Sequence, residues 1–270
     1  MKFTPRKARD DVNVSKEHPL VEASTLVVGV GLIFVTIIVG LMFAVEIALY
    51  FVPADKEVAM FDSWIPDDIV TVADDDPRRG DLAALLERLV RHWPETEYRF
   101  RIEIDDSPEL NALALPGGLI VITSGLLDRI GSENELAFVV GHELGHFHNR
   151  DHLRGLGRGV VLGIVFAAIG SGDGAAALGS TISDLALRGF SRRQEASADR
   201  FGLGLVAAEY GHVADAWRFF ERLNEEGYGY SDVVAYIATH PAPSDRIDAM
   251  IEEANVRGWS LSGPVTAVSW

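Results

Sequence analysis

Between Phe138 and His152 the chain reads FVVGHELGHFHNRDH, and four of its 8 histidines fall there. His142 and His146 are four residues apart, so on a helix their imidazoles stack on one face, one turn from each other. Two ring nitrogens so placed can hold one zinc ion, each at about 2.0–2.1 Å. Glu143 points roughly 100° round the same helix, where it can reach a metal-bound water without ligating the metal. Such a set is equipped for hydrolysis, with a polarised carbonyl, an acidified water and a carboxylate that takes the proton at neutral pH. The chain has no cysteine, so thiolate sites and disulfides are excluded and a metal must be held by histidine and carboxylate.

His-Glu-x-x-His is the pattern of zinc metalloproteases. A blander reading, a surface helix with incidental histidines, is opposed by Gly141 and Gly145. Each glycine costs roughly 0.5–1 kcal/mol in a helix interior, and small residues beside the histidines let another element come close. His148 and His152 repeat the spacing, but no glutamate follows His148, so they read as polar or supporting residues rather than ligands. A catalytic zinc needs a third protein ligand and an open fourth position. No histidine follows His146 at the offset of the longer His-Glu-x-x-His-x-x-Gly-x-x-His pattern. The later stretch FSRRQEASADRFG supplies Glu195 and Asp199, again four apart. Glu195 could be the carboxylate ligand, and Asp199 could accept the N–H of a zinc-bound imidazole and fix its tautomer. Taken alone, that stretch would be a solvated face salted by Arg192, Arg193 and Arg200.

These residues need elements to carry them. Ser132 and Glu135 have capping-box spacing ahead of an apolar run, which predicts a helix bearing the histidines. Asp81–Trp93 is apolar at helical period and stops at Pro94, and Tyr98–Ile104 alternates as a strand with one buried face. Asn111–Thr123 reads as two short strands about a Pro-Gly-Gly turn. Gly159–Leu187 reads as two small-residue helices broken at Ser171–Asp173, with a membrane-dipping hairpin as the minority reading. Further helices are expected after Arg192, over Val213–Glu226, Ser231–Ala238 and Ser244–Val256. The expected fold is mainly α with a small β-sheet, an α+β domain.

Ahead of it, Leu26–Ala44 carries no charge and is long enough to cross a bilayer as a helix. A buried core helix would normally show a polar stripe, and a leader of mixed charge fits an anchor better than a cleaved signal peptide. Lys2, Arg6, Lys7, Arg9 and Lys16 precede the span, whereas Lys56 is the one basic residue from Phe51 to Asp75. That asymmetry leaves the N-terminus in the cytoplasm and exports the remainder of the chain to the periplasm or extracellular space. A net charge of -16 with no basic face argues against a nucleic-acid partner. The expected layout is a cytoplasmic segment over 1–24, an anchor over 25–52 that contacts the lipid bilayer, and a juxtamembrane connector over 53–76. A catalytic domain over 77–258 and a tail over 259–270 complete it.

The ordered set Gly141-His-Glu-Leu-Gly-His146, Ser191-Arg-x-x-Glu-x-x-x-Asp199, Asn111-Ala with Pro116-Gly-Gly118, and Thr239-His-Pro241 before Arg246 resembles the HtpX and CAAX-prenyl-protease family of zinc endopeptidases. The resemblance covers about Pro77 to Val256. It implies a zincin-like domain of the glutamate-zincin kind, with one Zn2+ per chain held by His142, His146 and Glu195 and with Glu143 as catalytic base. The chain departs from multi-span members in having one clear span, which makes prenylated substrates an unexpected choice. His240 is expected either to donate to the oxyanion, to fill the fourth zinc position at rest, or merely to pack before Pro241. Proteases of this type commonly present an edge strand to an extended peptide, and Leu119, Ile120, Val121, Ile122 and Thr123 are the expected edge. The expected activity is a membrane-anchored endopeptidase acting on misfolded or membrane-associated polypeptides. The alternatives are a zinc-stabilised chaperone or scaffold with a latent site, and a hydrolase of small peptides or cell-wall links. Oligomeric state is not legible in the sequence.

Overall fold

The computed structural model describes residues 18–62, 70–168, 190–225, 240, 243–268 and 270. Two compact units divide the chain, residues 1–44 and 45–270. Helix α1, Pro19–Phe51, is long and apolar enough to cross a membrane, and none of its residues is buried. It begins ahead of the uncharged stretch because Pro19 suits a first helical position and the His18 ring accepts the Leu20 N–H.

The expected juxtamembrane connector carries a helix that enters the core. Ala54–Phe61 forms helix α2, and its Glu57 and Val58 are buried. Helix α3 spans Arg79–Val90 and puts Leu82, Leu85, Leu86 and Leu89 into the core. Strand β1, Arg101–Asp105, starts later than the alternation of Tyr98–Ile104 predicts, since the aromatic rings of Tyr98 and Phe100 pack on Phe147 instead. Strands β2, Ala112–Leu115, and β3, Leu119–Thr123, form the expected hairpin. The sheet is mixed and ordered β1-β3-β2, with Ile102 opposite Ile120 in parallel and Leu113 opposite Val121 antiparallel. Leu119–Thr123 is therefore the central strand, and the expectation that it is the edge fails. The local signal placed the hairpin correctly, but β1 returns to pair with β3 across a long sequence separation, and its alternation does not encode that choice.

A short helix α4, Ser124–Leu127, leads to α5, Glu133–His148, whose residues Asn134–Phe147 are all buried. Ser132 caps α5 by accepting the Glu135 N–H at 3.2 Å, but the reciprocal half of the capping box is missing. The Glu135 carboxylate turns to the Gly131 N–H, 2.8 Å away, and to Arg222. Helix α6 is Asp151–Ala168, so the first part of Gly159–Leu187 is helical, and 169–187 lies outside the described residues. Helix α7, Arg192–Tyr210, carries the full capping box between Ser191 and Gln194 and ends on Gly211. Helix α8, Arg218–Glu225, starts later than its apolar pattern predicts, after turns in which Asp215 takes φ 68°. Helix α9 is Pro243–Arg257; the helix expected over 231–238 lies outside the described residues. The tail after α9 is tied to the start of α5, where the Thr266 carbonyl accepts the Glu133 N–H at 2.8 Å and the Asn134 side chain accepts the Thr266 N–H.

Helices α5 and α7 meet backbone to backbone. A Cβ on Gly145 would come within 2.7 Å of Ala198 Cα, and one on Gly202 within 2.7 Å of the His142 nitrogen. That bears out the reading of the glycines beside the histidines as sites of close approach. Gly145→Ala gains up to ~1 kcal/mol of helix propensity but forces the helices apart, at about 1–3 kcal/mol. A lower thermal unfolding midpoint is expected in detergent, together with reduced zinc content. Gly80→Ala in α3, where nothing lies within 4 Å, serves as the control in which helix propensity is gained without a clash and the midpoint does not fall.

Candidate metal centre

Helix α5 delivers His142, Glu143 and His146, helix α7 delivers Glu195 and Asp199, and the segment before α9 delivers His240. His142, Glu143, His146, Glu195 and His240 are each 1% exposed or less. The two Nε2 atoms of His142 and His146 are 3.1 Å apart. Each stands 3.5 Å from a Glu195 oxygen. His240 Nδ1 lies 3.2 Å from His142 Nε2 and 3.3 Å from both Glu195 oxygens. Four donors from His142, His146, Glu195 and His240 thus lie within 4.8 Å of one another.

That spacing can be tested against a metal. Ligands at about 2.0–2.1 Å around a tetrahedral ion stand ~3.3 Å from one another, and the separations of 3.1–3.5 Å given above bracket that value. An all-nitrogen-and-oxygen set of this kind suits zinc. Glu143 adds an independent observation, since among the described residues neither of its buried carboxylate oxygens has a hydrogen-bond partner, and one lies 3.6 Å from His240 Nε2. Buried carboxylate oxygens call for a donor, and a water held beside the cluster would supply one. The residues present fit the ion.

Both imidazoles of α5 are oriented by a carboxylate on the far nitrogen. His142 Nδ1 meets Asp199 Oδ1 at 2.9 Å, the pairing expected for Asp199. Arg246 grips Asp199 through Nε at 2.8 Å and a terminal nitrogen at 2.6 Å, and its other terminal nitrogen is 2.9 Å from Glu195. The Phe220 ring supports the guanidinium at 4.5 Å. His146 Nδ1 meets Asp151 Oδ2 at 3.1 Å, and Asp151 Oδ1 accepts from the Gln194 amide at 2.7 Å. Asp151 is the supporting residue that sequence reasoning missed. Its one signal is a position at the start of α6, just after the histidine helix, hidden among the residues read as a second histidine pair. Of that pair, His148 is exposed and packs on Phe201, and His152 turns away to Glu57 at 2.7 Å, so neither joins the cluster.

The charges are set by these contacts. Burial opposes ionisation of Glu195, yet the surrounding imidazoles of His240, His142 and His146 hold its carboxyl well below the ordinary range. Burial likewise works against a charged His146, but Asp151 and Glu195 prevail and push it up to about 9. Burial wins at His142, whose pKa is lowered. Asp199 is held down by Arg246 and His142 against the cost of its burial. The centre therefore offers negative carboxylates to a cation.

A histidine helix with an adjacent glutamate, joined by a glutamate from a later helix, defines a metalloprotease domain of the zincin kind. The chain belongs to peptidase family M48, whose sequence profile matches residues 77–254. It is 31% identical over 176 residues to the Bos taurus protein named metalloendopeptidase OMA1, mitochondrial, which covers 59% of this chain and 34% of that one. It is 32% identical over 181 residues to a putative beta-barrel assembly-enhancing protease of Vibrio cholerae, covering 62% of this chain and 37% of the relative. The Escherichia coli beta-barrel assembly-enhancing protease is 27% identical over 180 residues. The chain thus spans little more than a third of the length of these relatives, and the family makes its matched domain that of a zinc metalloprotease with polypeptide substrates.

Asp151→Ala is expected to lower zinc affinity by about 10–100-fold, read by chelator competition on the full chain. An unchanged affinity would remove Asp151 from the support of His146.

Proposed function

We propose that the chain is a membrane-anchored zinc endopeptidase that cleaves misfolded or membrane-associated proteins outside the cytoplasm. The observation that carries this reading is the four-donor cluster with the buried Glu143 carboxylate beside it, which has no hydrogen bond among the described residues. One zinc per chain is held by His142, His146 and Glu195. A bound zinc would supply Lewis acidity to the scissile carbonyl and lower the pKa of the attacking water towards ~7. Glu143 takes the water's proton and passes it to the leaving amine. His240 is close enough to serve either as a fourth donor at rest or as a donor to the oxyanion once peptide enters. Helix α1 anchors the chain, with the basic flank on the cytoplasmic side. The names of the relatives, a mitochondrial metalloendopeptidase and a protease that enhances beta-barrel assembly, suit an enzyme acting on proteins at a membrane.

The peptide is expected on β2 rather than β3. Among the described strands β2 pairs with β3 alone. Thr123 N–H donates to the Asn111 carbonyl at 3.1 Å, so alternation along the antiparallel ladder turns the N–H and C=O groups of Ala112 and Ala114 outwards. His240 Nε2 lies 3.4 Å from the Ala112 carbonyl, which puts that outer edge next to the centre. An extended segment adding there reads backbone more than side chains, as suits unfolded clients.

His240 within the donor cluster also favours a second reading, a zinc-loaded holdase with its site closed by that residue. Glu143→Gln separates the two. It should keep stoichiometric zinc and lose casein cleavage by about 10²–10⁴-fold, whereas a parent that binds unfolded casein without cutting it would establish the holdase. Ala114→Pro should raise the peptide KM about tenfold or more with zinc retained, because it removes an outward N–H without cutting the ladder to β3. Loss of zinc in that variant would mean misfolding.

A further inference from the structure

Glu57 lies ahead of the segment matched by the family profile, in an acidic stretch where a carboxylate would ordinarily face water, yet it is 1% exposed. Burial of a carboxylate is tolerated only with good partners, and Glu57 has them from three directions. The Tyr98 hydroxyl donates to Oε2 at 2.6 Å, His152 Nε2 stands 2.7 Å from Oε1, and the Gly117 N–H donates to Oε1 at 3.2 Å. The Arg150 guanidinium adds its charge at 3.6 Å. None of these groups belongs to the metal centre. Burial opposes the charge, but His152, Tyr98 and Gly117 together keep the Glu57 carboxyl below the ordinary range.

The Gly117 contact gives the cluster a function. Gly117 and Gly118 form the turn from β2 to β3 with φ 83° and 77°, conformations that favour glycine. A Cβ on Gly117 would lie 2.6 Å from Phe61 Cβ, so α2 is seated directly on this turn. The Phe61 carbonyl also accepts from Arg101 on β1 at 3.3 Å. Helix α2 therefore holds the turn from outside the matched domain, and the turn sets where β2 ends and how its outer edge is presented. Resting on the assignment of that edge to the peptide, we propose that Glu57 is a positioning residue for substrate: it fixes the Gly117 turn and thereby the strand to which the peptide adds. The juxtamembrane segment is then part of the binding apparatus as well as a link to the anchor.

The test uses the full chain in detergent with a quenched-fluorescent casein peptide. Glu57→Ala is expected to raise KM about fivefold or more, with kcat and zinc per chain within about twofold of the parent, the pattern of lost binding rather than lost chemistry. Glu57→Gln keeps an acceptor for the Gly117 N–H and turns its amide N–H towards the Tyr98 hydroxyl oxygen, which can accept it, and should restore KM to within about twofold. A parental KM in Glu57→Ala overturns the inference, as does a joint fall of zinc, kcat and thermal midpoint, which marks a merely structural residue. A Gln variant as impaired as Ala also overturns it. Ala114→Pro assayed alongside keeps the two readings apart. A raised KM there with a parental Glu57→Ala sinks only the Glu57 inference, whereas a parental KM in Ala114→Pro sinks the edge assignment beneath it.

Discussion

The whole centre depends on how closely two helices can approach. Helix α5 presents a zinc-type pair of imidazoles, but two rings cannot make a catalytic site without a third donor. On the proposed reading Glu195 supplies it from α7, and it reaches the rings because Gly141, Gly145, Gly202 and Ala198 let the two backbones touch. With side chains at those positions the axes would separate by more than the tolerance of a metal-ligand bond, which is about 0.2 Å. The helix propensity lost at each glycine is therefore compensated in geometry. The same approach brings Asp199 to His142, so one packing decision positions a candidate ligand and the carboxylate that orients another.

Around that contact the structure spends its buried charge on orientation. His142 is backed by Asp199 and Arg246, and His146 by Asp151 and Gln194. Each far-side carboxylate selects the tautomer that leaves Nε2 facing the cluster. Glu143 is the exception: it is buried beside the donors, and among the described residues neither oxygen has a hydrogen-bond partner. A carboxylate in that position is poised to accept a proton from a water, which is the role the hydrolytic reading requires of it. The domain around these groups is packed rather than open, with α5 buried all round and the sheet lying against it.

Much of this was legible in the sequence where the determinants are local. Helical spacing placed His142, Glu143 and His146 together, and glycines next to histidines announced a close neighbour. Glu195 and Asp199 were legible as a second pair at the same spacing, since α7 repeats the one-face logic of α5. What escaped was non-local. β3 was expected to be the edge because hairpin signals say which strands are adjacent, not that β1 returns to cover the far side of one of them. Asp151 was hidden because its partner lies five residues back across a helix end, where one-face spacing no longer applies. Glu57 reads as a solvated acid in an acidic stretch, because the donors that bury it, Tyr98, Gly117 and His152, are distant in the sequence.

The central claim is that His142, His146 and Glu195 grip a single zinc ion at the contact of α5 and α7. Diffraction from crystals of the full chain, recorded on both sides of the zinc absorption edge, tests it most directly. The account predicts one anomalous peak per chain, at about 2.0–2.2 Å from the two Nε2 atoms and a Glu195 oxygen. A peak elsewhere, or a Glu195 side chain turned wholly to Arg246 with the ion bound without it, would contradict the account.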